Sequence, residues 1–303
     1  VYLAASGDLL TLSLKEKRFK AKSLRMPLGR VSSLIQAGPD LWVAANTGLL
    51  KYHIPSNHWE AVYPVDGVKS WAPKDVRAVV KDADGNIWFA SPQGVGRFRG
   101  TWQLFTGQEG LPYNDFTTAA AGSQASVWFG TTDGAIRYDG VDFRYRQGRR
   151  WLPDDKVNDV FVDQNGHAWF ATPQGVGVIR FVPMTLAEKA RFYEEEIDKY
   201  NRRTEYGFVL GVSTDAPGDK SVVHKHDSDN DGLWTSMYGA GECYAYAATK
   251  DPRAKERAKK AFEALKFLGD VTQGGEYAPP AGYVARSILP TSGPDPNKGR
   301  IER

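Results

Sequence analysis

One segment recurs through the first 180 residues of the chain, and it constrains the fold more than any other feature. Each copy contains an apolar strand, a tight turn, a strand carrying a Trp, a Gly-containing turn and a further strand. The Trp recurs at intervals of 46, 40 and 41 residues, at Trp42, Trp88, Trp128 and Trp169. A period near 40–45 with alternating apolar residues is typical of β-propeller blades, in which each repeat forms one small antiparallel sheet.

The clearest copy of the repeat lies at residues 76–114. Its Asp84-Gly85 pair predicts a two-residue hairpin turn, because such turns need residues that accept a positive φ. Residues 1–10, VYLAASGDLL, align with residues 41–50, LWVAANTGLL, and Tyr2 stands at the Trp position. The alignment predicts that the chain starts within a blade. Residues 1–182 are therefore expected to form an all-β domain, a partial β-propeller of about four to five blades.

The apolar period changes from 2 to 3.6 at Pro183, which predicts a second domain over residues 183–303. Thr185 and Glu188 have capping-box spacing. The apolar residues that follow lie on one helical stripe, and Asp251-Pro252 has the form of an N-cap followed by Pro at the first helical position. A further helix is predicted from near Leu233. This pattern predicts an all-α segment of helical hairpins, the truncated start of an α/α-toroid-like domain.

Composition excludes several classes of protein. The net charge is +3 in 303 residues, with no block of basic residues, so a nucleic-acid partner is not expected. No run of 18 apolar residues exists, so no membrane span is expected in this chain. The single cysteine, Cys243, excludes an internal disulfide framework, and its apolar helical context predicts a buried thiol.

The densest cluster of polar residues lies at residues 224–234. Asp227, Asp229 and Asp231, followed by Gly232, match the first half of a calcium-binding loop. The second half does not match, since Tyr238 stands where the loop needs a Glu. The same acidic residues also fit the N-terminal cap of the helix that follows, because negative charge is favoured there. Both interpretations remain open.

Other polar residues in the second domain are candidates for chemistry. His224 and His226 alternate, so they face the same side of an extended segment, where they could serve as acid or base or could be merely structural. Glu242 stands among small and apolar residues, so it either pairs with a cation or faces a cavity. The residues suited to stacking on a sugar or binding its carboxylate are Trp234, Tyr238, Tyr283 and Arg286.

The repeats resemble the two-component-regulator propeller repeat, with DADGNIWFASPQGVGRF and DQNGHAWFATPQGVGVI as the best matches. That repeat occurs in periplasmic sensor regions and in secreted proteins near polysaccharide-utilisation machinery. In the sensors a β-sandwich and a membrane span usually follow, whereas helices follow here. The helical segment from His226 to Leu268 is similar to the early hairpins of α/α-toroid proteins that act on glycans.

The resemblance implies two alternative functions. The first is a secreted or periplasmic carbohydrate-active protein, a polysaccharide lyase or glycoside hydrolase, whose helical domain binds a neutral or acidic polysaccharide or oligosaccharide. His224 or His226 would then act with Glu242, and calcium is the cofactor considered. The alternative is a non-enzymatic ligand-binding propeller of a sensor or adhesion protein.

Overall fold

The computed structural model describes residues 2–5, 8–13, 18–22, 29–123, 125–294 and 298–299 of the chain. Part of the N-terminal repeat and the end of the C-terminal tail thus lie outside the described residues. The chain divides into two compact units, residues 1–182 and residues 183–303.

Five small antiparallel sheets follow one another along the first unit, and in each sheet the strands pair in chain order. The second, third and fourth sheets have four strands each, and the first and fifth have three among the described residues. This succession of small meanders is propeller-like and confirms the predicted repeat of sheets. The strands of the first two sheets are β1 (Tyr2–Ala5), β2 (Asp8–Ser13), β3 (Arg18–Lys22), β4 (Val31–Ala37), β5 (Asp40–Ala45), β6 (Gly48–His53) and β7 (His58–Ala61).

The remaining strands of the first unit complete this pattern. A hairpin of two short strands, β8 (Val65–Asp66) and β9 (Lys69–Ser70), lies between the second and third sheets, and a 3-10 turn covers Gly107–Glu109. The strands of the last three sheets are β10 (Ala78–Lys81), β11 (Ile87–Ser91), β12 (Gly94–Phe98), β13 (Trp102–Phe105), β14 (Phe116–Ala121), β15 (Val127–Thr131), β16 (Gly134–Tyr138), β17 (Phe143–Arg146), β18 (Asp159–Val162), β19 (Ala168–Thr172) and β20 (Gly175–Ile179).

The Trp of each repeat forms the core between successive sheets. In β11 and β15 the Trp is followed by Phe, and strand alternation places the two rings on opposite faces. The ring of Trp88 lies 6.3 Å from that of Phe129 in the next sheet. The ring of Trp128 likewise lies 5.2 Å from that of Phe170. Each Trp therefore points forward to the next sheet, and each Phe points back to the previous one.

A cation lies beside the Trp on the neighbouring strand. Lys51 pairs with Trp42 in the register of β5 and β6, and its ammonium lies 5.6 Å from the ring. Arg97 pairs with Trp88 in the same way, with its guanidinium 5.2 Å from the ring. These cation–π contacts cover the rings with the stems of long side chains.

The turn before Trp88 differs from the predicted two-residue hairpin. Strand β10 ends at Lys81 and β11 begins at Ile87, so the loop covers residues 82–86, and only Gly85 has a positive φ, of 84°. Asp82 organises this loop with four hydrogen bonds. It accepts them from the amides of Asp84 and Asn86, from the Asn86 side chain and, at 2.7 Å, from Nε1 of Trp88.

The second unit contains three α-helices and two short hairpins among its described residues. Helix α1 begins with the predicted capping box of Thr185 and Glu188, and a π-helical turn, Ile197–Asn201, follows it. The α/α-toroid that the sequence predicted is not shown. The elements are α1 (Leu186–Glu196), β21 (Arg202–Arg203), β22 (Phe208–Val209), β23 (Val212–Thr214), β24 (Val223–Lys225), α2 (Asp231–Thr249) and α3 (Pro252–Asp270).

Helix α2 buries a polar face, contrary to the prediction of an apolar one. Its buried residues are Asp231, Thr235, Gly239 and Glu242. The thiol of Cys243 is exposed, so the predicted burial of this residue was wrong. Within the described part of the chain, no helix combines the length and apolar character that crossing a membrane requires.

Replacing Asp82 tests the role of the loop at residues 82–86. Asp82→Ala should lower the free energy of unfolding of the first unit by about 3 kcal/mol, because it leaves several donors, including a buried indole N–H, without an acceptor. Urea denaturation followed by Trp fluorescence measures this loss. Asp163 makes the equivalent bond to Trp169 in a more exposed setting, so Asp163→Ala should cost less. Equal effects of the two variants would contradict this explanation.

Candidate functional site

A cavity of about 550 Å³ lies among α1, α2 and α3 of the second unit. Small residues let the helices approach one another around it. A Cβ added at Gly239 of α2 would lie only 2.9 Å from the Cβ of Ala261 on α3. The residues that line the cavity and carry ionisable groups are Arg191, Glu194, Glu195, Tyr238, Glu242, Asp251, Arg253 and Arg257.

Two carboxyl groups meet at this cavity. Glu242 is 5% exposed. Burial, together with its hydrogen bond to Glu194 and the charge of that neighbour, raises the pKa of Glu242 to about 7. The negative charge of Glu194 beside it disfavours the ionised form of Glu242. Glu242 is thus poised to take or give a proton near neutral pH.

Tyr238 forms hydrogen bonds beside these two carboxyl groups. Its hydroxyl donates to Oε2 of Glu194 at 2.7 Å and accepts from Nη2 of Arg202 at 3.0 Å. Burial, the hydrogen bond to Glu194 and the charge of that group raise the pKa of Tyr238 above its usual range. The hydroxyl therefore stays protonated at neutral pH and can act as a proton donor.

Arg257 pairs with Glu194, and a second arginine, Arg202, joins the same cluster through Asp198. Nε of Arg257 on α3 lies 3.3 Å from Oε2 of Glu194, and its Nη2 lies 2.6 Å from Oδ2 of Asp198. Arg202 also bonds Asp198, with 2.7 Å between Nε and Oδ1. The carboxyl pair is thus held in place by guanidinium groups on one side and by Tyr238 on the other.

The local sequence explains how these groups come together. Tyr238 and Glu242 are four residues apart on α2, and such residues share a helix face. Glu194 and Asp198 have the same spacing at the end of α1. On α3, Arg257 stands between the buried alanines Ala254 and Ala261. Small neighbours leave room for its long side chain to reach α1.

Glu242 and Tyr238 were predicted as site residues from the sequence, and the structure brings these two together. Four further residues of the cluster were not predicted: Glu194, Asp198, Arg202 and Arg257. The four-residue spacing of Tyr238 and Glu242 was the available signal. These partners come from α1, the π-helical turn, β21 and α3, and in the sequence alone charged residues at such positions are indistinguishable from a solvated surface.

The two candidate histidines lie elsewhere in the second unit. Nε2 of His224, on β24, lies 2.7 Å from Oδ1 of Asp215. Nε2 of His226 lies 2.7 Å from Oγ of Ser213. Both side chains are exposed, and no hydrogen bond or ion pair among the described residues joins either one to Glu242. The structure thus does not bring together the predicted set of His224, His226 and Glu242.

Asp231 belongs to a buried ion pair. It is fully buried, it pairs with Arg203, and it accepts hydrogen bonds from Ser287 Oγ at 2.6 Å and from the Ser228 amide at 3.0 Å. Arg203 in turn donates to the carbonyl of Ile288 at 2.7 Å. These contacts give Asp231 a structural role, and calcium binding by it stays a prediction.

Asp229 forms an exposed pair with Arg286, with 3.1 Å between Oδ2 and Nη2. Within the described ranges, no group of three or more His, Cys, Asp or Glu side chains is arranged to hold a metal ion. Calcium binding at Asp227 and Asp229 therefore stays a prediction. Arg286, which was predicted to bind a sugar carboxylate, is occupied by Asp229. Trp234 and Tyr283, the predicted stacking residues, are 49% and 63% exposed.

Comparison with known proteins gives structural similarity only. No protein-family model and no curated protein matches the chain. The extracellular domain of BT4673 from B. thetaiotaomicron, named as a hybrid two-component system, is 20% identical over 60% of this chain and 26% of its own, with a TM-score of 0.48. The corresponding domain of BT3049 is 21% identical over 58% of this chain and 26% of its own, with a TM-score of 0.45.

A streptogramin B lyase structure is 15% identical over 57% of each chain, with a TM-score of 0.44. The chain spans about a quarter of the length of the two extracellular domains. At TM-scores this low, the similarities carry no argument about function.

The raised pKa of Glu242 predicts how stability depends on pH. Since its pKa in the folded chain lies above the ordinary 4.5, the folded state holds the proton more tightly than the unfolded state. This stabilisation is complete below pH 4.5 and is lost as the pH rises through about 7. Glu242→Gln should thus melt at the same temperature as wild type at pH 4.5 and at a higher temperature at pH 8.

The measurement is a thermal melt at both pH values, with Glu263→Gln as the control, because Glu263 is an exposed carboxylate on α3. A Glu242→Gln variant that melts below wild type at pH 8 would contradict the raised pKa of Glu242.

Replacing Asp231 tests its structural role. Asp231→Asn should lower the free energy of unfolding by about 3 kcal/mol, because Arg203 is left buried without its counter-charge. Asp229→Asn is the matched control and should change stability by less than about 0.5 kcal/mol, since its ion pair is exposed. Chemical denaturation of the three chains makes the comparison. A similar cost for both variants would show that burial of the Arg203 pair does not matter.

Proposed function

We propose that the helical unit acts on an acidic polysaccharide, as a lyase in which the Glu194–Glu242 pair removes a proton from the sugar. The observation that carries the proposal is a carboxyl group with a pKa of about 7, Glu242, facing a cavity of about 550 Å³. Groups whose pKa is strongly shifted by burial and a like charge concentrate at functional sites. A secreted or periplasmic location is part of the same proposal.

The contact between the two carboxyl groups favours a lyase over a hydrolase. Glycoside hydrolases place their two carboxyl groups about 5–9.5 Å apart, so that the sugar or a water molecule fits between them. Glu194 and Glu242 instead hydrogen-bond each other. A carboxyl group whose pKa is raised to about 7, as in Glu242, is suited to abstract a proton from a carbon acid and then to release it.

Each step of the proposed reaction has a residue to perform it. Ionised Glu242 accepts the proton from the carbon next to the uronate carboxylate. The electron pair of that C–H bond forms a C=C bond while the glycosidic C–O bond breaks, and Tyr238 donates its proton to the leaving oxygen. Arg191 and Arg253 line the same cavity, and guanidinium groups there can pair with the uronate carboxylate. This assignment replaces His224 and His226 with Tyr238.

A second candidate function is ligand binding by the first unit, as in a sensor or adhesion protein. The observation that favours it is Trp151, on the loop between the fourth and fifth sheets. The guanidinium of Arg146 lies 4.6 Å from the Trp151 ring, and that of Arg150 lies 5.5 Å from it. An aromatic ring between two cations at a loop surface is suited to an anionic ligand.

The experiment is an assay of the purified chain on polygalacturonate, alginate and hyaluronan, with dextran as the neutral control. Ultraviolet absorbance of the unsaturated product reports the reaction. Glu242→Gln and Tyr238→Phe should each lower the rate by about 100-fold or more, because each removes one proton-transfer group. The rate should rise with pH through about 7, as Glu242 ionises. Ser236→Ala, on the exposed side of α2, is the control and should keep full activity.

The other outcomes separate the candidates. New reducing ends without a double bond would contradict the lyase and support a hydrolase. Binding of an acidic glycan without turnover, reduced by Trp151→Ala and unchanged by Glu242→Gln, would favour the ligand-binding propeller.

A further inference from the structure

A cleft of about 530 Å³ lies between the second and third sheets of the first unit. Its lining residues all fall within residues 37–100, so these two sheets form both of its walls. The connection between β4 and β5 meets the connections that follow β10 and β12 there. The volume of this inter-sheet cleft lies within the range of about 300–1,000 Å³ that is usual for sites of small molecules.

A short connection in the second sheet helps to leave the inter-sheet cleft open. Residues 38–39 alone join β4 to β5, whereas residues 82–86 join β10 to β11 and residues 163–167 join β18 to β19. The longer loops of the third and fifth sheets cover the end of the strand that carries the Trp. The second sheet has no such cover over its own Trp.

The indole N–H of Trp42 is left without an acceptor as a result. In the third and fifth sheets, Asp82 and Asp163 accept a hydrogen bond from the Trp that follows six residues later. The residue six before Trp42 is Gln36, whose side-chain amide donates instead to the carbonyl of Gly38 at 3.3 Å. No hydrogen bond of the Trp42 indole is found among the described residues, and Trp42 lines the cleft. The cleft therefore holds a donor that the equivalent sites use internally.

Three charged side chains of the third sheet line the same cleft without a partner. Lys81 ends β10, Asp84 lies in the loop after it, and Arg99 directly follows β12. Within the described ranges, no ion pair or side-chain hydrogen bond engages any of the three. Asp40 of the second sheet adds a second carboxylate, whose Oδ1 lies 2.7 Å from Nδ1 of His53. The inter-sheet cleft thus carries two cations and two carboxylates.

The remaining surface of the cleft includes an apolar part. Ile87 lies opposite Lys81 on one side and opposite Phe98 on the other in the register of the third sheet. The rings of Phe98 and Trp42 lie 5.9 Å apart across the two sheets. Apolar side chains beside a few convergent polar groups are typical of a site for a small molecule.

We infer that the inter-sheet cleft binds a small zwitterion, an amino acid or a short peptide with an apolar side chain. Lys81, Arg99 and the Trp42 indole N–H bind the carboxylate of this ligand, because each of them is a hydrogen-bond donor. Asp84 binds the ammonium group. The apolar side chain of the ligand contacts the apolar part of the cleft.

The balance of charge favours a zwitterion over a ligand of one sign. A simple anion would meet the unpaired carboxylate of Asp84, and a simple cation would meet Lys81 and Arg99. A ligand that carries both charges matches both groups, and such complementarity decides which partner is selected. The inference concerns the first unit alone and depends neither on the proposed lyase nor on the loop of Trp151.

The first test compares four probes on the whole wild-type chain: leucine, N-acetylleucine, leucine amide and glucose. N-acetylleucine lacks the ammonium group, and leucine amide lacks the carboxylate. Leucine should bind about 10-fold or more tightly than either derivative, because each derivative loses hydrogen bonds between charged groups. Glucose should bind more weakly than leucine. Ligand-detected NMR titration measures the four dissociation constants.

The second test assigns each charge to its residue. Arg99→Gln should weaken leucine binding by about 10-fold and abolish the preference for leucine over leucine amide. Asp84→Asn should weaken it similarly and abolish the preference over N-acetylleucine. Asn165→Ala is the control, because Asn165 holds the position of Asp84 in the equivalent loop of the fifth sheet; it should bind leucine like wild type. Circular dichroism checks that the variants, all at exposed positions, are folded.

Four outcomes would overturn the inference. A wild-type chain that binds no leucine removes the site, and equal affinity for leucine and both derivatives removes the recognition of charge. Tighter binding of glucose than of leucine would show that the ligand class is wrong. Leucine binding that is unchanged in both Arg99→Gln and Asp84→Asn would place the ligand outside the inter-sheet cleft.

Discussion

The packing of each Trp on the next sheet is the interaction on which the first unit depends. Because Trp and the residue after it point to opposite faces of one strand, every internal sheet supplies half of two cores. Stability in such an array depends on nearest neighbours, as it does in other repeat proteins. The indoles of Trp88 and Trp169 donate hydrogen bonds to Asp82 and Asp163, and these bonds fix the ring orientation.

The helical unit differs from the first unit, because the side chains that α2 buries are polar. A buried polar group is tolerated only when it is hydrogen-bonded or paired. Asp231 meets this requirement through Arg203 and Ser287, and Thr235 does so by accepting from the Val209 amide at 3.2 Å. Glu242 meets it only by keeping a proton. The same helix thus carries a structural carboxylate at its start and a titratable one in its middle.

The sequence predicted the first unit better than the second for a physical reason. A repeated Trp with alternating apolar neighbours specifies strands, turns and the packing partner of each sheet together. In the second unit the sequence predicted two helix starts correctly, Thr185 with Glu188 for α1 and Asp251 with Pro252 for α3. The apolar residues of α2 nevertheless do not form its buried face, because Leu233, Met237 and Tyr244 are exposed. Periodicity identifies a helix but not which face has a neighbour, and the meeting of Glu194 with Glu242 depends on that choice.

The balance of charge around Glu242 supports the proposed proton-transfer role over that of an ordinary ion-pair network. Arg202 and Arg257 are already matched by Glu194 and Asp198. Ionised Glu242 adds a third carboxylate to two guanidinium groups, in a place where burial disfavours charge, so it lowers stability as the pH rises through about 7. A network that served stability alone would gain from Gln or Ala at this position. A carboxyl group that costs stability in its ionised form, beside a Tyr that stays protonated, is better explained by chemistry that needs both groups.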